Sequence, residues 1–178
     1  WQDFELEIAA VLGTGGADLT VAEAEQAIIG YTIFNDWSAR DLQSLESQLG
    51  IGQAKGKDSG ITLGPYLVTP DELDEFRTDG RLDLTVTALV NGEVIGSGST
   101  AAMDWTFAEV ISYASRGVFL HPGEVFGSGT VPTCTLVEHL DMTDLAGFRG
   151  WLSDGDEVTL QVQVLCETRH TVRHRPSP

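Results

Sequence analysis

Glu5 and Glu7 stand two positions apart near the start of the chain. On an extended strand such residues project from one face, which would set two carboxylates side by side. Like charges that close drive one partner toward protonation wherever the face is even partly buried. A divalent cation removes the conflict, because Mg2+ and Ca2+ are hard ions that select carboxylate oxygen. A solvated outer face is the simpler account of the pair taken alone. Asp36 shifts that balance, since it follows the apolar run Ile28 to Phe34 and opens Asp36-Trp37-Ser38-Ala39-Arg40-Asp41, charge placed directly after core. An Asp at a strand end also serves as a turn former or helix cap. Lysine usage adds a third pointer, because the chain's lysines, Lys55 and Lys57, both fall in Lys55-Gly56-Lys57-Asp58-Ser59-Gly60. An ammonium there would stabilise negative charge developing on a metal-bound oxygen. A solvated loop is the alternative.

The elements that must position these groups read mainly as strands. Phe4, Leu6, Ile8 and Leu12 alternate with Glu5, Glu7, Ala9 and Val11 at a two-residue period. Ile28 to Phe34 is expected as a second strand, and Asp41 to Leu49 as one or two helical turns before the Gly-rich loop from Gly50 to Gly60. Thr20 with Glu23, and Thr106 with Glu109, have the spacing of capping boxes and predict short helices. Leu82 to Val90 alternates, Asn91-Gly92 is a preferred hairpin turn, and Glu93 to Gly98 returns as its partner. Strands are also expected at Glu124 to Gly127 and around Val158 to Val164, with a polar tail over residues 169–178. Many strands, few helices and long connections predict a mixed β fold with short helices, a β-sandwich roll rather than a doubly wound α/β sheet.

Composition narrows the partners. The chain has 178 residues, 27 acidic against 10 basic, and a formal charge of -17. That length suits one domain, 1–178, with a substantial core. So large an acidic excess repels phosphate backbones and anionic lipid heads, which argues against nucleic-acid and membrane-surface roles. Cys134 and Cys166 are too few for a disulfide scaffold and fit a reducing cytoplasm, the expected location. Trp1 to Leu12 reads as a strand without a lead-in, so further residues are expected to precede Trp1.

Taken in order, these segments resemble the fumarylacetoacetate hydrolase family, specifically its C-terminal catalytic domain. The resemblance rests on Phe4-Glu5-Leu6-Glu7-Ile8, on Gly30 through Gln43 with Asn35-Asp36-Trp37-Ser38-Ala39-Arg40-Asp41 at its centre, and on Lys55-Gly56-Lys57-Asp58. It continues through Leu63-Gly64-Pro65-Tyr66-Leu67-Val68, Val90-Asn91-Gly92-Glu93, Met103-Asp104-Trp105, Pro122-Gly123-Glu124 and Gly127-Ser128-Gly129-Thr130, covering about Phe4 to Leu165. It implies a mixed β-sandwich roll and a homodimer. It also implies Mg2+ or Ca2+, with Mn2+ an option, and action on small β-dicarbonyl or 2-oxo acids, as in aromatic catabolism. By the same resemblance Glu5, Glu7 and Asp36 are metal ligands, and Lys57, Arg40 and Gln43 face substrate oxygens. Thr130 would contact the substrate carboxylate, and Glu138 falls where the hydrolases carry a glutamate that orients a catalytic histidine.

The leading expectation is hydrolysis of a carbon–carbon bond in a fumarylacetoacetate- or acylpyruvate-like acid. Water would add to a polarised carbonyl, and an enolate would leave. Two departures stand out. The hydrolases carry a histidine upstream of the Glu-x-Glu pair, and none of His121, His139, His170 and His174 matches that position. Ser47 stands where some members have an aromatic residue. A second reading therefore uses the same site for decarboxylation or isomerisation of a 2-oxo acid, which needs an enolate but no activated water. A third is a binding module without catalysis.

Overall fold

The computed structural model describes residues 1–50 and 52–174. Among the described residues there are twelve strands, β1 (Gln2–Asp3), β2 (Leu6–Leu12), β3 (Ile28–Asp36), β4 (Ser38–Ala39), β5 (Ile61–Leu63), β6 (Arg77–Thr78), β7 (Arg81–Leu82), β8 (Thr85–Val90), β9 (Glu93–Ser99), β10 (Val125–Gly127), β11 (Glu157–Val162) and β12 (Cys166–Thr171), with apolar alternation clearest in β8 and β11. One sheet has the order β10-β2-β3-β5 and a second β12-β11-β8-β9, with small ribbons β1-β4 and β6-β7. Neighbours are antiparallel throughout both sheets. Leu6, Ile8 and Ile33 from the first sheet share one core with Val86, Ala88 and Leu160 from the second, which makes the expected sandwich.

Turns and caps follow local chemistry. The β8–β9 hairpin closes through Asn91 and Gly92 at φ 54 and 81, the positive angles that a two-residue primed turn requires. Both expected capping boxes form and start α1 (Val21–Ala27) and α3 (Phe107–Ala114). A further helix, α2 (Arg40–Ser47), begins directly after β4 and buries only Arg40. Among the described residues no helix is long and apolar enough to cross a membrane.

One expectation needs correction. The polar tail assigned to 169–178 is strand at its start, because Arg169 pairs with Thr159, His170 with Val158 and Thr171 with Glu157. Its period is two, but the inward residues are Thr168 and a half-buried His170 instead of aliphatics, which hides the pattern. Residues 175–178 of that tail lie outside the described residues. Cys134 is buried, whereas Cys166 is exposed and adopts φ 79 at the β11–β12 turn.

Candidate metal centre

Strand register is what gathers the acids. Leu6 pairs with Asn35 and Glu7 with Phe34 across β2 and β3. Just before β2, Glu5 takes its place opposite Asp36, whose backbone N–H donates to the Glu5 carbonyl at 3.2 Å. The Glu5 N–H in turn donates to Asn35 Oδ1 at 3.1 Å. Cross-strand partners and i, i+2 neighbours share a face, so Glu5, Glu7 and Asp36 converge while Leu6 and Ile8 turn to the core. One carboxylate oxygen from each lies within 4.8 Å of the others. Far from forming a solvated face, Glu7 is only 4% exposed.

Two cations answer this charge. Lys57 Nζ lies 2.5 Å from Glu5 Oε2 and 3.0 Å from Asp36 Oδ2, and it donates to Ser38 Oγ at 2.8 Å. Arg40 Nη1 lies 2.8 Å from Glu5 Oε1. Burial pushes the Glu5 carboxyl up, but the hydrogen bond and charge of Lys57, with Arg40 behind it, outweigh burial and hold it below the ordinary carboxylate range. Glu7 goes the other way. Burial first, then Glu5 and Asp36, push its carboxyl up to about 7, against the opposing pull of the Gly129 N–H and Lys57. That N–H donates to Glu7 Oε2 at 2.9 Å. A Cβ on Gly127, the last residue of β10, would come within 2.6 Å of the same oxygen and would push the Glu7 carboxylate aside.

The other expected site residues divide. Gln43 lies beside the cluster and accepts from Arg40 Nη1 through Oε1 at 2.8 Å, which leaves its amide N–H groups as donors. Arg40 itself does not offer a free guanidinium. It is 6% exposed, and its Nε and Nη2 are taken by Asp3 and Thr135 at 2.8 Å each. Thr130 borders a cleft of about 210 Å³ between the Ser128–Pro132 loop and the segment around Met103 and Asp104. Glu138 is exposed, and its carboxylate accepts from Thr133 N–H at 2.6 Å. Among the described residues no histidine contacts the carboxylate cluster; His139 Nε2, for instance, meets the Thr133 carbonyl at 2.8 Å.

Three participants escaped the sequence reading. Asp3 is fully buried beneath Arg40. Thr135 reaches the site from a distant loop. Glu46, on α2, accepts from the backbone N–H groups of Ala54, Lys55 and Gly56 at 2.9, 2.6 and 3.1 Å and so pins the loop that presents Lys57. Only Glu46 left a trace, as an acid close in sequence to a Gly-Lys loop.

Hard-oxygen donors, a span that one ion's shell covers (roughly 4–5 Å across for ion–oxygen distances near 2.0–2.6 Å), and a carboxyl lifted by burial and then by its acidic neighbours all fit a divalent cation held by Glu5, Glu7 and Asp36.

Comparison with known proteins agrees with this geometry. The family model for "Fumarylacetoacetate (FAA) hydrolase C-terminal" matches residues 1–173. Oxaloacetate tautomerase YisK of Bacillus subtilis is 37% identical over 128 residues, which are 72% of this chain and 40% of that protein. A 2,4-didehydro-3-deoxy-L-rhamnonate hydrolase of Sphingomonas is 36% identical over 132 residues, 73% of this chain and 44% of that one. The solved structure of a fumarylacetoacetate hydrolase from psychrophilic Exiguobacterium antarcticum superimposes with a TM-score of 0.79 at 32% identity, covering 98% of this chain and 57% of that chain. The chain thus spans less than half the length of these two curated relatives.

Proposed function

Because the chain belongs to the fumarylacetoacetate hydrolase family, we propose that it is a divalent-cation-dependent enzyme that stabilises the enolate of a small 2-oxo or 1,3-dicarbonyl acid. Tautomerisation or isomerisation of such an acid is the reaction its described residues support best. The observation that carries this reading is Lys57, whose ammonium meets Glu5 and Asp36 inside the three-carboxylate cluster. When bound, the cation would supply positive charge that polarises a chelating carbonyl. An ion drawing on Glu5 and Asp36 would release the Lys57 ammonium from them, and it could then donate to an oxygen gaining charge at the edge of the cluster, with the Gln43 amide adding neutral donors beside it. Donors aimed at a developing oxyanion are each worth about 3 kcal/mol in a site that excludes water. The cleft bordered by Thr130 includes Gly129, the residue that holds Glu7, and has room for the tail of a small substrate, to which the Thr130 hydroxyl could donate. Likeness to the Bacillus subtilis tautomerase supports the same reaction class.

Hydrolysis of a carbon–carbon bond is the second reading. It is favoured by the likeness to the Sphingomonas hydrolase and by Glu138, a carboxylate already fixed at the Thr133 turn. Assaying oxaloacetate, fumarylacetoacetate and an acylpyruvate side by side with Mg2+, Ca2+ and Mn2+ separates the two. Enol–keto interconversion of oxaloacetate without cleavage products supports the first, and release of pyruvate from an acylpyruvate supports the second. Binding of cation with no turnover of any of them supports a binding module. Asp36→Ala should abolish both cation binding and turnover; unchanged values would end the assignment.

We also propose a homodimer. Leu42 and Leu45 on α2, and Ile61 and Leu63 on the edge strand β5, are exposed apolar side chains that a second copy would cover.

A further inference from the structure

Asp3 makes more polar contacts than a surface-strand residue needs. Its Oδ1 accepts from the N–H groups of Phe4 at 2.8 Å and Leu136 at 2.9 Å. Its Oδ2 accepts from Arg40 Nε at 2.8 Å, Thr135 Oγ1 at 2.8 Å and Val137 N–H at 3.1 Å. The side chain is 0% exposed. A carboxylate so deeply buried survives only when donors surround it, and here they do.

Arg40 is the link outward. Its Nε and Nη2 are fixed by Asp3 and Thr135, and the remaining nitrogen, Nη1, reaches Glu5 Oε1. Lys57 holds the other Glu5 oxygen, Oε2. Of the two cations on Glu5 only Arg40 is anchored from behind, so Arg40 sets the orientation of the carboxylate while Lys57 occupies the oxygen an ion would take. Asp3 also offsets the guanidinium charge, so that Arg40 steers Glu5 without cancelling it. The backbone adds to this arrangement, because Asp3 pairs with Ser38, the residue that receives Lys57.

We propose that Asp3 is a positioning residue for the cation site: through Arg40 and Thr135 it fixes the Glu5 carboxylate in the orientation a divalent ion requires. This rests on the divalent-cation reading above. Groups that hold the ligands of a metal typically cost ten- to a hundredfold in affinity when lost. In Asp3→Asn, an amide N–H would face donors from Arg40, Thr135 or the backbone, and the clamp would open.

Titration calorimetry of the metal-free chain with Mn2+, beside thermal unfolding of the same samples, tests the proposal. Asp3→Asn is expected to weaken Mn2+ binding at least tenfold. Thr135→Val, which removes one arm of the clamp without changing charge, is expected to weaken it at least threefold. Leu160→Ala, a core truncation in the other sheet, lowers the unfolding temperature but leaves Mn2+ affinity within twofold of the parent. Binding by a folded Asp3→Asn within twofold of the parent would overturn the proposal. Should Asp3→Asn fail to fold, Thr135→Val decides, and parental affinity in it overturns the proposal. Absence of stoichiometric Mn2+ binding in the parent itself would instead remove the cation reading, and the proposal with it.

Discussion

Burial and two acidic neighbours leave Glu7 holding a proton that a free glutamate loses, so metal-free stability and cation affinity must both depend on pH. Its carboxyl titrates near 7 in the folded chain and near 4.5 when free. Between those values the folded chain binds more protons than the unfolded one, and stability falls as pH rises through that window. The full interval corresponds to roughly 3 kcal/mol. Glu5 contributes with opposite sign, because its lowered carboxyl gives stability above 4.5 that is lost on acidification. In chelator, the unfolding temperature should therefore drop from pH 5 to pH 7.5, and Glu7→Gln should flatten that drop. Cation binding must expel the proton, so affinity should climb to about pH 7 and then level. Calorimetry in buffers of different ionisation enthalpy would show close to one proton released at pH 6 and almost none at pH 8. Lys57→Met gives a complementary split. Turnover should fall a hundredfold or more with the lost oxyanion donor, while Mn2+ binds more tightly because Glu5 and Asp36 lose their competing ammonium.

At the scale of elements, α2 is the part whose function lies outside its packing. It buries one residue, Arg40, yet it supplies both that guanidinium and Glu46, the acceptor for the 54–56 backbone. Glu46→Ala should leave the unfolding temperature within a few degrees, since the half-buried side chain holds only the 54–56 loop, but lower turnover about tenfold as Lys57 loses its fixed approach. A parental turnover number would show that the loop positions Lys57 unaided. The same element shows why part of the site was legible beforehand. Glu5, Glu7, Asp36 and Lys57 are residue types whose clustering has a chemical motive, and capping boxes and the Asn91-Gly92 turn are local signals that the fold obeys. Arg40 was read as a site residue, but its buried partner Asp3 went unseen, because nothing local to either residue reveals a contact 37 positions away. β12 escaped for a related reason: its inward side chains are polar, and only its pairing with β11 makes it a strand.

Charge dominates at the scale of the molecule. A net -17 draws divalent cations toward the surface and repels a second copy of the chain. Salt should act on the two in opposite directions. Raising NaCl from about 20 to 300 mM, which shortens the Debye length to under 10 Å, should weaken Mn2+ binding severalfold and strengthen self-association. Light scattering coupled to size exclusion at both salt levels checks the second point, and Leu45→Glu with Ile61→Glu should yield monomer at either. A dimer that survives those substitutions would place the interface elsewhere.

The clamp around Arg40 joins positions 3 and 135, and the Glu7–Gly129 bond joins another pair more than a hundred residues apart. On a ribosome, Asp3 and Glu7 emerge on the order of ten seconds before the loop that completes their surroundings. A nascent chain therefore carries these acids before the segment that holds them, and the surroundings of Asp3 and Glu7 close only after the 129–137 stretch has emerged.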